Sequence, residues 1–373
     1  MDLQIKPVDK AFYETHLDYL PPKLIDIHTH VWLAASRQPS PQPPNLGGKR
    51  GPARRGPTWP GRVAPENPIA DLLATYRRMF PRQTVTPVIF GPATREYDLD
   101  GSNRYVSQVA AQHGLPSFLV TTPEWTANEL EERVVAGGFL GLKPYLEFAA
   151  AAIPSDDITI WDFLPRHHLQ VADAHGWIVM LHIPRRGRLR DPLNLEAMLE
   201  IEHCYPNVQL VIAHIGRAYC PEDVGDAFDI LKDARRMRFD FCANTSAWVM
   251  ERLLAAVGPQ RVLFGSDMPV ARMRMRRICE NGFYVNLVPR GLYGDLSDDP
   301  HMRQVSDEAG AQLSFFMYEE LLAFRQAAAA VGLSAGDVAD VMYNNAARLI
   351  AGAGGGHLVA HTGQAEGGSG AGK

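Results

Sequence analysis

The chain has 373 residues, 46% of them apolar and 21% charged, with 37 basic against 42 acidic residues for a net charge of −5. That composition supplies a large buried core and excludes a disulfide-knit miniprotein, a coiled coil and an acidic disordered chain. A balanced charge also gives no reason to expect nucleic acid as a partner, and no apolar run approaches the roughly 18 residues of a membrane helix.

The first ten residues, MDLQIKPVDK, lack the apolar segment of a signal peptide, so residues 1–23 read as a short leader. Cys204, Cys220, Cys242 and Cys279 show no ligand-type spacing, which predicts buried free thiols and a cytoplasmic, reducing setting. A first β-rich run covers Leu24–His30. From Arg37 to Pro68 the chain carries 9 of its 28 prolines, which excludes helix and central strand and predicts a long loop. Further β-rich runs follow at Thr84–Gly91, Ser117–Thr122, Phe139–Tyr145, Ile178–Ile183, Val208–Ile215, Arg238–Asn244 and Val262–Asp267. Most are continuously apolar, as strands covered on both faces are. Helical patterns fill the gaps, and Gly114, Gly176 and Gly258 stand directly after three of them. A long ordered loop is predicted over Pro269–Glu308, then closing helices to Ile350, and a disordered glycine-rich tail over 351–373.

Strands alternating with helices allow a doubly wound sheet or a barrel. No glycine-rich phosphate loop follows the first strand, so the expectation is a single-domain (β/α)8 TIM barrel over 24–350, with long loops after strands 1 and 8. That fold demands chemistry at the C-terminal strand ends, and the ionisable residues fall there. Strand 1 ends in His28-Thr29-His30, whose imidazoles share a side. Asp26 has the same parity one step deeper. Strand 4 carries Lys143, strand 5 His182, strand 6 His214 and strand 8 Asp267.

A lone histidine in an apolar strand is more often a hydrogen-bonded core residue than a ligand. Four histidines and an aspartate at the ends of four strands need partners together, and a divalent metal ion, most simply zinc, satisfies them at once. The other histidines read as structural or solvated, including His167 and His168 on a helix, with His301 after strand 8 kept in view. Arg185, Arg186 and Arg217 follow ligand-bearing strands, and an RMRMRR run follows Asp267. Such guanidinium groups suit a small anionic substrate, with Arg185 and Arg217 read as substrate-binding and the run as a mixture of substrate and structural roles. Lys143, Tyr145 and Asn244 are further candidate polar contacts.

The motifs Asp26-Ile27-His28-Thr29-His30, His182, His214 and Gly265-Ser266-Asp267, in that order, resemble the amidohydrolase superfamily, and within it the amidohydrolase-related (family 2) branch. The closing segment Tyr343-Asn344-Asn345-Ala346-Ala347-Arg348-Leu349 is similar to that branch as well. The resemblance implies that His28, His30, His182 and Asp267 hold the metal, with His214 a second-site ligand or catalytic acid/base. It also implies that Lys143 either stays cationic over one metal, the preferred reading, or is carbamylated and bridges two. The expected function is hydrolysis of an amide, lactone or ester in a small carboxylated molecule by a metal-activated water, with Asp267 and His214 moving protons. The alternatives are a non-oxidative decarboxylase or hydratase on the same site, and a non-catalytic metal- and ligand-binding barrel. Self-association into a homo-oligomer is expected only by analogy.

Overall fold

The computed structural model describes residues 3–38, 63–297 and 299–360. Eight parallel strands close into a barrel: β1 (Lys23–His30), β2 (Thr84–Phe90), β3 (Leu119–Val120), β4 (Gly141–Lys143), β5 (Ile178–Leu181), β6 (Gln209–Ile212), β7 (Arg238–Asp240) and β8 (Val262–Leu263). Ladders join β1 to β2 and run unbroken from β3 to β8. Two parallel bridges complete the ring, Ile89 with Ser117 and Thr29 with Met268. The (β/α)8 architecture is as the alternation predicts.

The apolar residues explain the closure. Ile25, Ile27, Val88, Phe90, Phe118, Val120, Met180 and Val211 fill the interior, and Leu349 and Ile350 of the closing helices join the same cluster. A larger cluster, including Leu24, Tyr76, Val179 and Phe239, packs the strands against the surrounding helices. Strand residues thus alternate between the two cores, as the pleat requires.

The N-terminal residues are more than a leader. The helix Pro7–His16 buries Asp9, whose carboxylate takes a bidentate grip from Arg274 (2.8 and 2.6 Å) and a hydrogen bond from the Ser314 hydroxyl (2.9 Å). Arg274 of the RMRMRR run is therefore structural. Replacing it with alanine would strand a buried carboxylate, an expected loss of about 3–5 kcal/mol measurable as an earlier urea midpoint. Arg272 donates to the Val63 carbonyl, and Arg276 pairs with Glu319.

His168 departs from the solvated reading. It is fully buried on the helix Arg166–His175, with Nε2 on the Trp125 carbonyl at 2.9 Å, and burial lowers its pKa from 6.5 to about 4. Below the unfolded value the unfolded chain takes up a proton that the folded site refuses. Stability should therefore fall as pH drops from 6.5 towards 4, by on the order of 3 kcal/mol from this group. Denaturation midpoints across that window should flatten in His168→Gln, whose amide can still donate to Trp125.

The closing helices continue through Ala360, where a disordered tail was expected from Ala351; residues 361–373 lie outside the described set. The proline-rich loop predicted over Arg37–Pro68 also lies mostly outside it, at 39–62, including Trp59. The loop over Pro269–Glu308 is ordered as expected, but as a sheet: β9 (Arg276–Glu280), β10 (Phe283–Pro289) and β11 (Met302–Val305). Its hairpin turns on Asn281-Gly282, at φ 53° and 75°, a two-residue signal legible in the sequence. Among the described residues no helix is long and apolar enough to cross a membrane.

Candidate metal centre

The first strand sets the site through a bulge. Its register shifts between Asp26 and Thr29. Asp26 consequently does not line up beneath the histidines: it accepts from Tyr76 of the flanking helix (2.6 Å) and from the Ser266 N–H (3.0 Å), and burial raises its pKa to about 7. His28, within the bulge, faces the barrel interior beside Phe90, with ring centroids 5.2 Å apart. Re-aiming a side chain at a barrel mouth is a common use of a bulge.

Pairing of the last strand end with the first brings in Asp267. Its N–H donates to the His28 carbonyl (2.9 Å), and the His30 N–H donates to the Met268 carbonyl (2.8 Å). The Asp267 carboxylate then lies 3.2 Å from His30 Nε2 and 3.8 Å from His28 Nε2. Asp267 holds φ 61°, and Arg185, His214, Ile215, Arg217 and Ala243 are likewise left-handed, all just past the ends of β5 to β8. Backbone strain concentrated on one rim marks the working face of the barrel.

The second nitrogens of the two strand-1 histidines are already taken. His28 Nδ1 meets Asp240 at 2.9 Å, and His30 Nδ1 meets the Gly91 carbonyl at 3.0 Å. Both Nε2 lone pairs are thereby turned towards Asp267, the arrangement in which an outer partner fixes the tautomer of a metal-binding imidazole. His214 sits with its ring centroid 4.9 Å from His28 and its Nδ1 on the Cys242 carbonyl at 3.1 Å. The His182 ring centroid lies 5.1 Å from that of His214, and among the described residues its buried Nδ1 has no hydrogen-bond partner. Lys143 Nζ reaches His28 Nε2 at 3.2 Å.

Electrostatics favour neutral imidazoles. Burial lowers His28, His182 and His214, and Lys143 adds to the effect on all three. Burial also brings Lys143 to about 8, against the pull of Asp240, Cys242 and Asp267. Burial opposes an ionised Asp267 too, but the hydrogen bond from His30 leads the effects that hold its carboxyl well below the usual range. Neutral imidazole and ionised carboxylate are the forms that bind a divalent ion. With His28, His30 and Asp267 converging and an orphaned nitrogen on His182, the donor set fits one.

Sequence reasoning missed Asp240. One carboxylate oxygen holds His28, and the other takes the backbone N–H groups of His214 (2.6 Å) and Cys242 (3.3 Å). Its signal was visible, a carboxylate at the end of an apolar strand. Asn244, read as a pocket residue, is fully buried: its amide donates to the Ala218 carbonyl and accepts from the Ser246 N–H. Arg185 turns to Asp191 at the start of the next helix, while Arg217 donates to the Ile183 and Arg185 carbonyls and its charge reaches Tyr145 and His182. Tyr145 packs on His182, centroids 4.7 Å apart. Arg186 is a surface residue paired with Asp156, and Arg290 is exposed near Asp307.

The cysteine reading needs correction. Cys242 is a buried free thiol and Cys204 an exposed one, but Cys220 and Cys279 form a disulfide. The bond ties the loop after β6 to β9, and the expectation of a reducing compartment loses the support it drew from four free thiols.

The amidohydrolase family-2 model matches residues 25–280, more than half of the chain and all the ligand-bearing strand ends. The chain belongs to this family. Amidohydrolases of this family are metal-dependent enzymes, so the converging histidines and aspartate stand in a family of catalysts. Solved structures agree on the fold. The chain is similar to 5-carboxyvanillate decarboxylase from Sphingomonas paucimobilis, at 12% identity and TM-score 0.54, over 88% of this chain and 99% of that one. It is similar to 4-oxalomesaconate hydratase from Rhodopseudomonas palustris, at 15% identity and TM-score 0.52, over 90% and 97%. A probable 2-pyrone-4,6-dicarboxylic acid hydrolase from Acinetobacter baumannii, with citric acid bound, gives 15% identity and TM-score 0.51 over 88% and 99%. Comparison with curated protein sequences gives no match.

Proposed function

We propose that this amidohydrolase hydrolyses an amide, lactone or ester bond in a small carboxylated molecule, using one divalent ion, most simply zinc, held by His28, His30, Asp267 and His182. The observation that carries the reading is the Asp267 carboxylate held between two imidazoles whose other nitrogens are fixed by Asp240 and Gly91. When bound, the ion supplies Lewis acidity, acidifying a water or polarising a carbonyl oxygen. Asp267, partly open to the mouth, is the group placed to accept a proton from an attacking water. His214, donating through Nδ1 and held neutral, presents an Nε2 lone pair that would take this proton from Asp267 and pass it to the leaving atom. Arg217, beside Tyr145 and His182, holds a substrate carboxylate, with Lys143 deeper at His28. Support for a carboxylated substrate also comes from the named molecules of the similar structures, each of them a carboxylic acid or its derivative.

The test uses protein stripped of metal and reloaded with zinc, offered carboxylated lactones, esters and amides, with CO₂ release followed in parallel. Hydrolysis restored by metal supports the proposal. CO₂ release without hydrolysis moves the chain to the decarboxylase alternative. A blank screen at full metal occupancy favours a binding barrel.

A further inference from the structure

The barrel has a second charged end. At its N-terminal floor, opposite the metal centre, the short strand β7 begins with Arg238 and carries Asp240 two residues on. The two share a face. Phe239 between them packs outward, and the register partner of Arg238 is Val211, which fills the barrel interior. Arg238 therefore points into the floor of the barrel, half-buried, as Asp240 points to His28 above it.

Four more arginines belong to this floor. Arg235 and Arg236 stand just before β7, Arg261 directly before β8, and Arg348 on the closing helix Asn345–Ile350. The Asn345 amide donates to the Pro259 and Val262 carbonyls (2.8 and 2.9 Å), which brings Arg348, three residues on along the same helix side, to the start of β8. Their carboxylate partners are few. Arg236 has Glu202 at 4.0 Å, and Arg348 has Asp340 at 3.2 Å. The Glu202 carboxylate is engaged by backbone, accepting from the N–H groups of Arg235, Arg236 and Met237 (2.9, 2.8 and 2.9 Å). Among the described residues neither Arg238 nor Arg261 pairs with a carboxylate. Arg238 donates to the Arg236 carbonyl at 3.4 Å, and Arg261 to the Val257 and Ala234 carbonyls. The guanidinium groups are close enough for their charges to oppose one another. Burial and then Arg348 lower the pKa of Arg238, Glu202 resists, and Arg261 adds to the lowering. Burial lowers Arg261 too, with Glu202 resisting and Arg235 adding to it.

Like charges gathered in a half-buried setting cost free energy that an anion among them would offset. Arg238 is recessed, so a small compact group reaches it where a protein surface does not. A tetrahedral oxyanion offers several acceptor oxygens to guanidinium forks arriving from different elements. We propose that Arg238, Arg261 and Arg348, with Arg235 and Arg236 at the exposed rim, form an anion site on the barrel floor for a phosphate dianion, free or as the terminal group of a small phosphomonoester. The site stands apart from the metal centre and does not rest on the hydrolase reading.

The test measures binding rather than turnover. Zinc-loaded full-length protein is titrated calorimetrically with inorganic phosphate and with glycerol 3-phosphate, at an ionic strength held constant with sodium chloride. Wild type is expected to bind phosphate with a dissociation constant below about 1 mM. Arg238→Gln and Arg348→Gln are each expected to weaken that binding about tenfold. Arg348 is exposed on its helix, so its variant keeps the test open if Arg238→Gln fails to fold. Thermal midpoints taken without phosphate separate binding from structure. Removing one of several like charges should leave Arg238→Gln at or above the wild-type midpoint. A variant that melts earlier with its phosphate affinity intact overturns the proposal and makes the arginines structural. Absence of phosphate binding by wild type overturns it as well. So does phosphate affinity within twofold of wild type in both variants, which places the phosphate at the metal centre instead. Given the variant effects, tighter binding of glycerol 3-phosphate supports the site with a phosphomonoester as its occupant, and tighter binding of phosphate supports it with the free ion.

Discussion

Asp267→Asn is expected to lower turnover by about three orders of magnitude while leaving the thermal midpoint within a few degrees of wild type. The amide has the same size, tolerates the left-handed backbone at φ 61°, and keeps the N–H bond to the His28 carbonyl. What disappears is the negative charge 3.2 Å from His30 Nε2, needed both to hold a cation and to accept a proton. Loss of a positioned proton acceptor alone typically costs 10²–10⁴-fold, and weaker metal retention adds to it. Turnover should be read together with metal content by plasma emission. A variant with wild-type turnover and metal would remove Asp267 from the centre of the site.

Asp240→Asn should act without touching substrate. One carboxylate orients the His28 ring and ties down the backbone at His214 and Cys242. An asparagine supplies one acceptor oxygen where three donors now converge and turns an N–H towards at least one of them. Outer partners of this kind are worth about 10–100-fold in metal affinity, and a buried donor left unpaired costs about 1–3 kcal/mol. Competition with a chelator should show the first effect and chemical denaturation the second. Unchanged zinc affinity would mean that His28 keeps its orientation without the Asp240 carboxylate.

How far the sequence speaks depends on how local each determinant is. The barrel was legible because each strand announces itself by a few consecutive apolar residues, and the strand-end histidines because the pleat aims residues two apart to one side. That parity rule fails where the backbone turns. The bulge after Asp26 sends that carboxylate to Tyr76 while His28 faces inward. Past Ala243, at φ 51°, Asn244 no longer shares the direction of Asp240 and folds back onto Ala218. Contacts between distant segments leave no local trace. Arg274 reads as a mouth arginine until Asp9, 265 residues earlier, is seen beneath it. Cysteine connectivity is likewise invisible, although Asn281-Gly282 marked the hairpin that carries Cys279.

The Cys220–Cys279 bond has a topological consequence as well. The two residues are 59 apart, and the segment they enclose contains Asp240, Cys242 and Asp267. One proposed ligand, Asp267, the Asp240 that holds His28, and most of the first strand of the extra sheet therefore belong to one covalent circle. Closing a loop of that length restricts the unfolded chain by about 4 kcal/mol in the chain-entropy account. A single protease cut within the circle opens it without freeing a fragment, so the nicked protein migrates as one species until a thiol reductant separates its two pieces.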